Sequence, residues 1–211
     1  SPSLVRDAIA LYRPNITANR PSTVSKAPES NPSLVLKDIV HFSVEYSHLH
    51  EPLDISPNML GYAVGLFREQ LEYAVQLEGE ITNLRLSFGP TRTDDGDTCD
   101  ETKSYGLTGH LIAFTNKMMQ LAKADNNAAR REVSCWSRIN NDVFIRLRIW
   151  AGGQTNLTTA QEAGQIFLCL DSEAFWLPEH ELDLLFALRD RWDEMAPSTI
   201  TELENRLCEG N

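Results

Sequence analysis

Residues 56–84 read SPNMLGYAVGLFREQLEYAVQLEGEITNL, and the spacing of their apolar side chains decides the class of fold. Ser56-Pro57 is a cap residue followed by a proline, the pairing that opens a helix because a first-turn position needs no backbone N–H. Leu60, Val64, Phe67, Leu71, Ala74 and Ile81 then recur at steps of three and four residues. That period places them on one stripe of an α-helix, with Glu78 as its one polar occupant. At ~1.5 Å per residue a helix reaching Leu84 is roughly 40 Å long, the dimension of a bundle or solenoid element. Such a stripe is core packing before it is anything else.

Working outward, the same period recurs. Leu107, Leu111, Phe114, Met118 and Leu121 mark a second helix, and the cap-rich break Asp125 to Asn127 precedes a short one ending near Trp136. Asn141 or Asn140 caps a helix over residues 142–151 in which Val143, Phe144, Leu147 and Trp150 face one way while Ile145 and Ile149 face another. Apolar residues on two faces predict a helix packed between neighbours. Gly152-Gly153 ends it, and Thr159 with Glu162 has the spacing of a capping box for a helix through Leu170. Pro178 starts a helix whose main stripe is read as Leu182, Leu185, Phe186 and Trp192, and Pro197-Ser198 introduces a last one using Ile200, Leu203 and Leu207.

Toward the N-terminus a helix from Ser3 is stopped at Pro14, because proline breaks the hydrogen-bond ladder. Residues 15–30, rich in Thr, Ser, Asn, Pro and Ala without apolar periodicity, read as a flexible linker. Asn31-Pro32 opens a helix-like run carrying Leu34, Leu36, Ile39, Val40, Phe42, Val44 and Leu49 through His50. The only place allowed a short strand is residues 81–88. The expected class is therefore all-α, an irregular helical bundle or HEAT-like stacked helix pairs. It divides into a short helix with linker (1–30), a long-helix bundle region (31–125) and a helical-repeat-like region (126–211).

The chain carries 30 acidic against 19 basic residues, a formal charge of −11, which disfavours phosphate backbones and anionic membranes. Arg130 with Arg131, and the trio Arg138, Arg146 and Arg148, are the nearest approaches to a basic patch, and we read them as solvated helix faces. No stretch approaches the ~20 apolar residues of a membrane span, and no secretory layout opens the chain. Cys99, Cys135, Cys169 and Cys208 are widely spaced with no CxxC pair, which suits a reducing cytoplasm. The tripeptides at Asn15 and Asn156 that match a glycosylation acceptor are read as accidental. The Ser-Pro-Ser start, without Met, points to an excised piece of a longer polypeptide or a processed product.

Candidate chemistry is sparse. Asp94, Asp95, Asp97, Asp100 and Glu101 could attract a hard cation, but they lack the order of a calcium loop and read as a solvated acidic connection. His41, His48 and His50 could tempt zinc, yet residues two apart do not share a helical face. Cys135 beside Trp136 has no nucleophile signature and is expected to be buried. No phosphate loop, GxSxG elbow or HExxH pair is present, so neither a cofactor nor a resident metal is expected. Of the four tryptophans, Trp150, Trp176 and Trp192 are the candidate interface anchors, set against the alternative of core packing.

Phe144 and Phe186, like Trp150 and Trp192, stand 42 residues apart, a period found in paired-helix repeats. Residues 141–151 (NDVFIRLRIWA), Phe175-Trp176, residues 188–194 (LRDRWDE) and residues 200–207 resemble the helical-repeat regions of large bacterial NTPase- or sirtuin-linked defence proteins. The resemblance spans about residues 139–208. It implies scaffold or sensor surface with no catalytic position. The sequence thus predicts a non-enzymatic protein-interaction or scaffold module, its partner another protein or other domains of the same polypeptide. A metal-assisted hydrolase with a dispersed site and a structural subunit of a homo-oligomer stand as alternatives.

Overall fold

The computed structural model describes residues 1–19, 40–47, 52–81, 91, 99–100 and 103–209. Among these the chain is all-α apart from one two-stranded ribbon. Helix α1 (Pro2–Ala10) leads into strands β1 (Asn15–Asn19) and β2 (His41–Glu45), and a 3₁₀ turn at Pro57–Met59 opens the long helix α2 (Leu60–Ile81). Then follow α3 (Gly106–Ala124), α4 (Asn126–Cys135) with a 3₁₀ extension at Trp136–Arg138, and α5 (Asp142–Gly152). The last four are α6 (Ala160–Leu168), the single-turn α7 (Ser172–Trp176), α8 (Pro178–Arg191) and α9 (Pro197–Glu209).

Two apolar clusters hold these elements, and α5 is the wall between them. Val143, Phe144, Leu147, Trp150 and Ala151 join α1, α2 and α3 in the first cluster, while Ile145 and Ile149 join α6, α7, α8 and α9 in the second. The two-faced reading of α5 is therefore what the packing shows. The first cluster runs past residue 126 without interruption as far as Leu157. In α2 the stripe is buried from Leu60 to Ala74 and half-buried at Ile81, and Glu78 within it accepts a hydrogen bond from the Tyr46 hydroxyl at 2.8 Å. Burial and the Glu78 carboxylate together push the Tyr46 phenol far above its usual range.

Caps fix the helix starts that the groove described below depends on. Asp125 accepts from the Ala128 amide at α4, and Asn141 from the Phe144 amide at α5. At α6 the Thr159–Glu162 box is complete in both directions.

Three expectations need correction. Residues 15–19 are a strand and not linker, and residues 41–45 are its antiparallel partner and not helix, with Ile16 opposite Val44, Thr17 opposite Ser43 and Ala18 opposite Phe42. The apolar pairs share one face, and the Thr17 and Ser43 hydroxyls meet on the other at 3.1 Å. Each strand is only five residues long, so its period-two pattern is weak until the two are laid side by side. Most of the remaining expected linker and helix, strand at 81–88 and acidic connection lies outside the described residues; the exceptions are Val40, Tyr46 and Ser47, Ile81 at the end of α2, Thr91, Cys99 and Asp100, which pairs with Lys103.

The third correction concerns α8. Its buried face is His180, Asp183, Leu184, Ala187, Leu188 and Arg191, whereas Leu182 and Leu185 are 40% and 49% exposed. Three of its six buried residues are ionisable, and an apolar count assigns such residues to solvent. Here two of them are partnered inside: Asp183 by Arg146 and Thr91, and Arg191 by the carbonyls of Gly152 and Thr158.

Candidate functional site: an arginine-lined groove

An open groove of about 880 Å³ lies between α4 and α6. Helix α4 supplies Asn127, Arg130, Arg131, Val133 and Ser134; Ser137 follows from the 3₁₀ extension, and Arg148 enters from α5. The connection Leu157–Thr159 and the outer face of α6, with Gln161, Glu162, Gln165 and Ile166, complete the wall. These positions follow from local structure. Asp125 starts α4 so that Arg130 and Arg131 project beside the 157–159 connection, which is itself tied back by the Asn126 amide donating to the Asn156 carbonyl at 2.6 Å.

Arg146 and Arg148 show how one helix separates two identical side chains. Two residues apart, they are about 200° apart around α5. Arg146 points into the protein, fully buried, and donates to Asp183 at 2.6 Å. Arg148 points to the groove, where among the described residues it reaches only the Ser137 carbonyl at 3.5 Å. Its partial burial lowers the pKa of its guanidinium, since taking the charge out of water disfavours it. The reading of these arginines as solvated faces is thus corrected for both.

Across the groove Arg130 donates to Glu162 at 2.7 Å. The same Glu162 oxygen accepts from the Thr159 amide and hydroxyl. Those bonds, the backbone amide first and the Arg130 charge last, hold the Glu162 carboxyl below the usual carboxylate range. Three guanidinium groups therefore face one carboxylate, a local cationic excess on a chain whose formal charge is −11. The Ser134 and Ser137 hydroxyls donate to the Arg131 and Ser134 carbonyls, and that of Thr158 to the Ala151 carbonyl. These three hydroxyls are spent on backbone carbonyls, whereas that of Thr159 donates to the Glu162 carboxylate.

A second polar cluster is closed to solvent. Both oxygens of Asp183 are used, one by Arg146 and the other by the Thr91 amide at 2.9 Å and hydroxyl at 2.6 Å. His180 lies beside this pair, fully buried, with neither ring nitrogen hydrogen-bonded among the described residues. Burial lowers its pKa despite the neighbouring carboxylates of Asp142, Asp183 and Glu179. Burial also pushes the Cys99 thiol up, and the Asp183 charge adds to this. The side chains of Thr91, Arg146, His180 and Asp183 are all buried.

None of the candidate interface tryptophans lines the groove. Trp150 is 2% exposed in the first cluster, and Trp176 and Trp192 are half-buried against the second, Trp176 edge-on to Phe175. Cys135, expected to be buried, is exposed, and its Trp136 neighbour is the buried one, donating from Nε1 to Glu132. His48, His50 and four of the five acids of the 94–101 cluster lie outside the described residues, and His41 sits in β2. Among the described residues no group of three His, Cys, Asp or Glu side chains is placed to hold a metal ion, and no helix is long and apolar enough to cross a membrane. Compared with protein-family models, curated proteins and solved structures, the chain matches none.

Proposed function

We propose that this chain is a non-enzymatic protein-interaction module that receives a partner in the groove between α4 and α6. The observation that carries the proposal is the groove itself, a concavity of about 880 Å³ whose walls are helices fixed by caps and core packing. Both sides are stiff: Ala129 on the inner face of α4 is buried in the first cluster, and Ala163 and Phe167 on the inner face of α6 in the second. A preformed surface of this kind limits the ordering entropy lost on binding. The resemblance of residues 139–208 to helical regions that serve as scaffold or sensor surface points the same way.

The test is site-specific photocrosslinking. A photoreactive amino acid at Gln161, an exposed groove position, is expected to capture a discrete protein that the same group at Glu204, on the outer face of α9, does not. Filling the groove with Gln165→Trp should abolish that capture. Equal labelling at both positions, or capture that survives Gln165→Trp, would sink the proposal.

A further inference from the structure

Resting on that reading, we propose that the groove's occupant is an acidic segment of a partner protein, with Arg131 and Arg148 pairing its carboxylates around an apolar side chain. The three arginines of the groove are not equivalent. Arg130 is satisfied by Glu162, whereas neither Arg131 nor Arg148 has a carboxylate within ion-pair distance among the described residues. Arg148 is the more telling of the two, because it is half-shielded from water and meets only a backbone carbonyl at the limit of hydrogen-bond distance. A guanidinium in that position gains more from an incoming carboxylate than a fully solvated one does, since its own desolvation cost is already met.

Apolar side chains share the groove with the arginines. Val133 of α4 and Ile166 of α6, both half-buried, line it together with the buried Leu157. This strip suits one aliphatic or aromatic side chain flanked by acids. The anion the groove already holds is also a carboxylate: Glu162 occupies the amide and hydroxyl of Thr159 at the start of α6, which closes that helix terminus to a phosphate. A nucleic acid is disfavoured by the −11 charge of the chain, and the same charge opposes a second copy as occupant. An open trough also matches a peptide better than a small molecule, whose sites enclose most of the ligand.

The experiment is selection of a displayed random dodecapeptide library on the whole chain, read by sequencing and followed by anisotropy of the enriched peptides. Asp and Glu should be enriched around one apolar position. The enriched peptides should bind about tenfold or more weakly to Arg131→Glu and to Arg148→Gln, and weaken as salt rises. Arg131 is exposed, so Arg131→Glu keeps the test sound if Arg148→Gln unfolds. Enriched peptides that lack acids but are lost on Gln165→Trp would overturn the charge assignment while leaving the interaction module standing. Peptides indifferent to all three substitutions would overturn it too, as would acidic peptides displaced equally by inorganic phosphate.

Discussion

Replacing Asp183 by asparagine should be among the most destabilising single-atom changes available to this protein. The substitution leaves an oxygen that can still accept from Thr91, so it isolates the loss of charge opposite Arg146. Both partners of that pair are buried, Arg146 completely and Asp183 to within 1%. Removing one charge of a buried ion pair costs up to about 3–5 kcal/mol, a large part of the ~5–15 kcal/mol by which domains are stable. For a chain of this length that corresponds to a fall in Tm of roughly 6–20 °C. Urea unfolding followed by far-ultraviolet circular dichroism measures it, with an unchanged m-value showing that stability alone has moved. The double variant Arg146→Met with Asp183→Leu should recover all but about 1–3 kcal/mol, the residue being the Thr91 donors left without an acceptor. An Asp183→Asn cost below about 1 kcal/mol, or a double variant as unstable as the two single losses added, would refute the reasoning.

Stability should also fall on mild acidification. His110 and His180 both have pKa values lowered by burial, so between the unfolded value of 6.5 and their lower folded values the unfolded chain binds more protons. The expected slope is at most about 1.4 kcal/mol per pH unit for each histidine, present below pH 6.5 and absent above it, and His180→Leu should flatten it while leaving stability at pH 8 unchanged or raised. Gly152→Ala should cost about 1–3 kcal/mol, because the added Cβ would lie 2.8 Å from the Phe167 ring, and Phe167→Leu should make that cost smaller in a double-mutant cycle. Thr159→Ala, which removes the α6 cap, should cost about 1 kcal/mol by thermal unfolding and free Glu162 to reorient, so that Arg130 also becomes available to peptide in the anisotropy assay.

The parts of the fold that sequence patterning exposes are those where solvent and core divide by polarity. In α2, α3 and α5 apolar side chains go inside, and the caps at Asn141 and Thr159 sit where Asn, Thr and Glu at those spacings put them. The ribbon escapes because five-residue strands gain their stability from a partner 26 residues away at Thr17 and Ser43, a relation no local period contains. Helix α8 escapes for a different reason. Asp183 and Arg191 are buried because acceptors and donors on other elements wait for them, and the sequence around Pro178 to Arg191 says nothing of Thr91, Arg146 or Gly152. The groove is half legible: Arg130, Arg131 and Arg148 can be picked out as cations, but only the α4–α6 geometry brings them to one concavity and sends Arg146 elsewhere.

That division along α5 links the fold to the proposed binding face. Ion pairing inside requires Arg146 to turn toward α8, and helical geometry then commits Arg148 to the opposite side, beside Ser137 and the α4 arginines. The end of the same helix is held from both clusters: Gly152 presents its carbonyl to Arg191 and lies too close to Phe167 for a side chain, and Thr158 bonds the Ala151 carbonyl while lining the groove. The groove floor is therefore anchored by the second core through α5 and the 157–159 connection. It follows that substitutions in the buried Arg146–Asp183 pair should loosen the groove as well as the fold. A variant of that pair that binds the selected peptides as tightly as the parent would show the two to be independent.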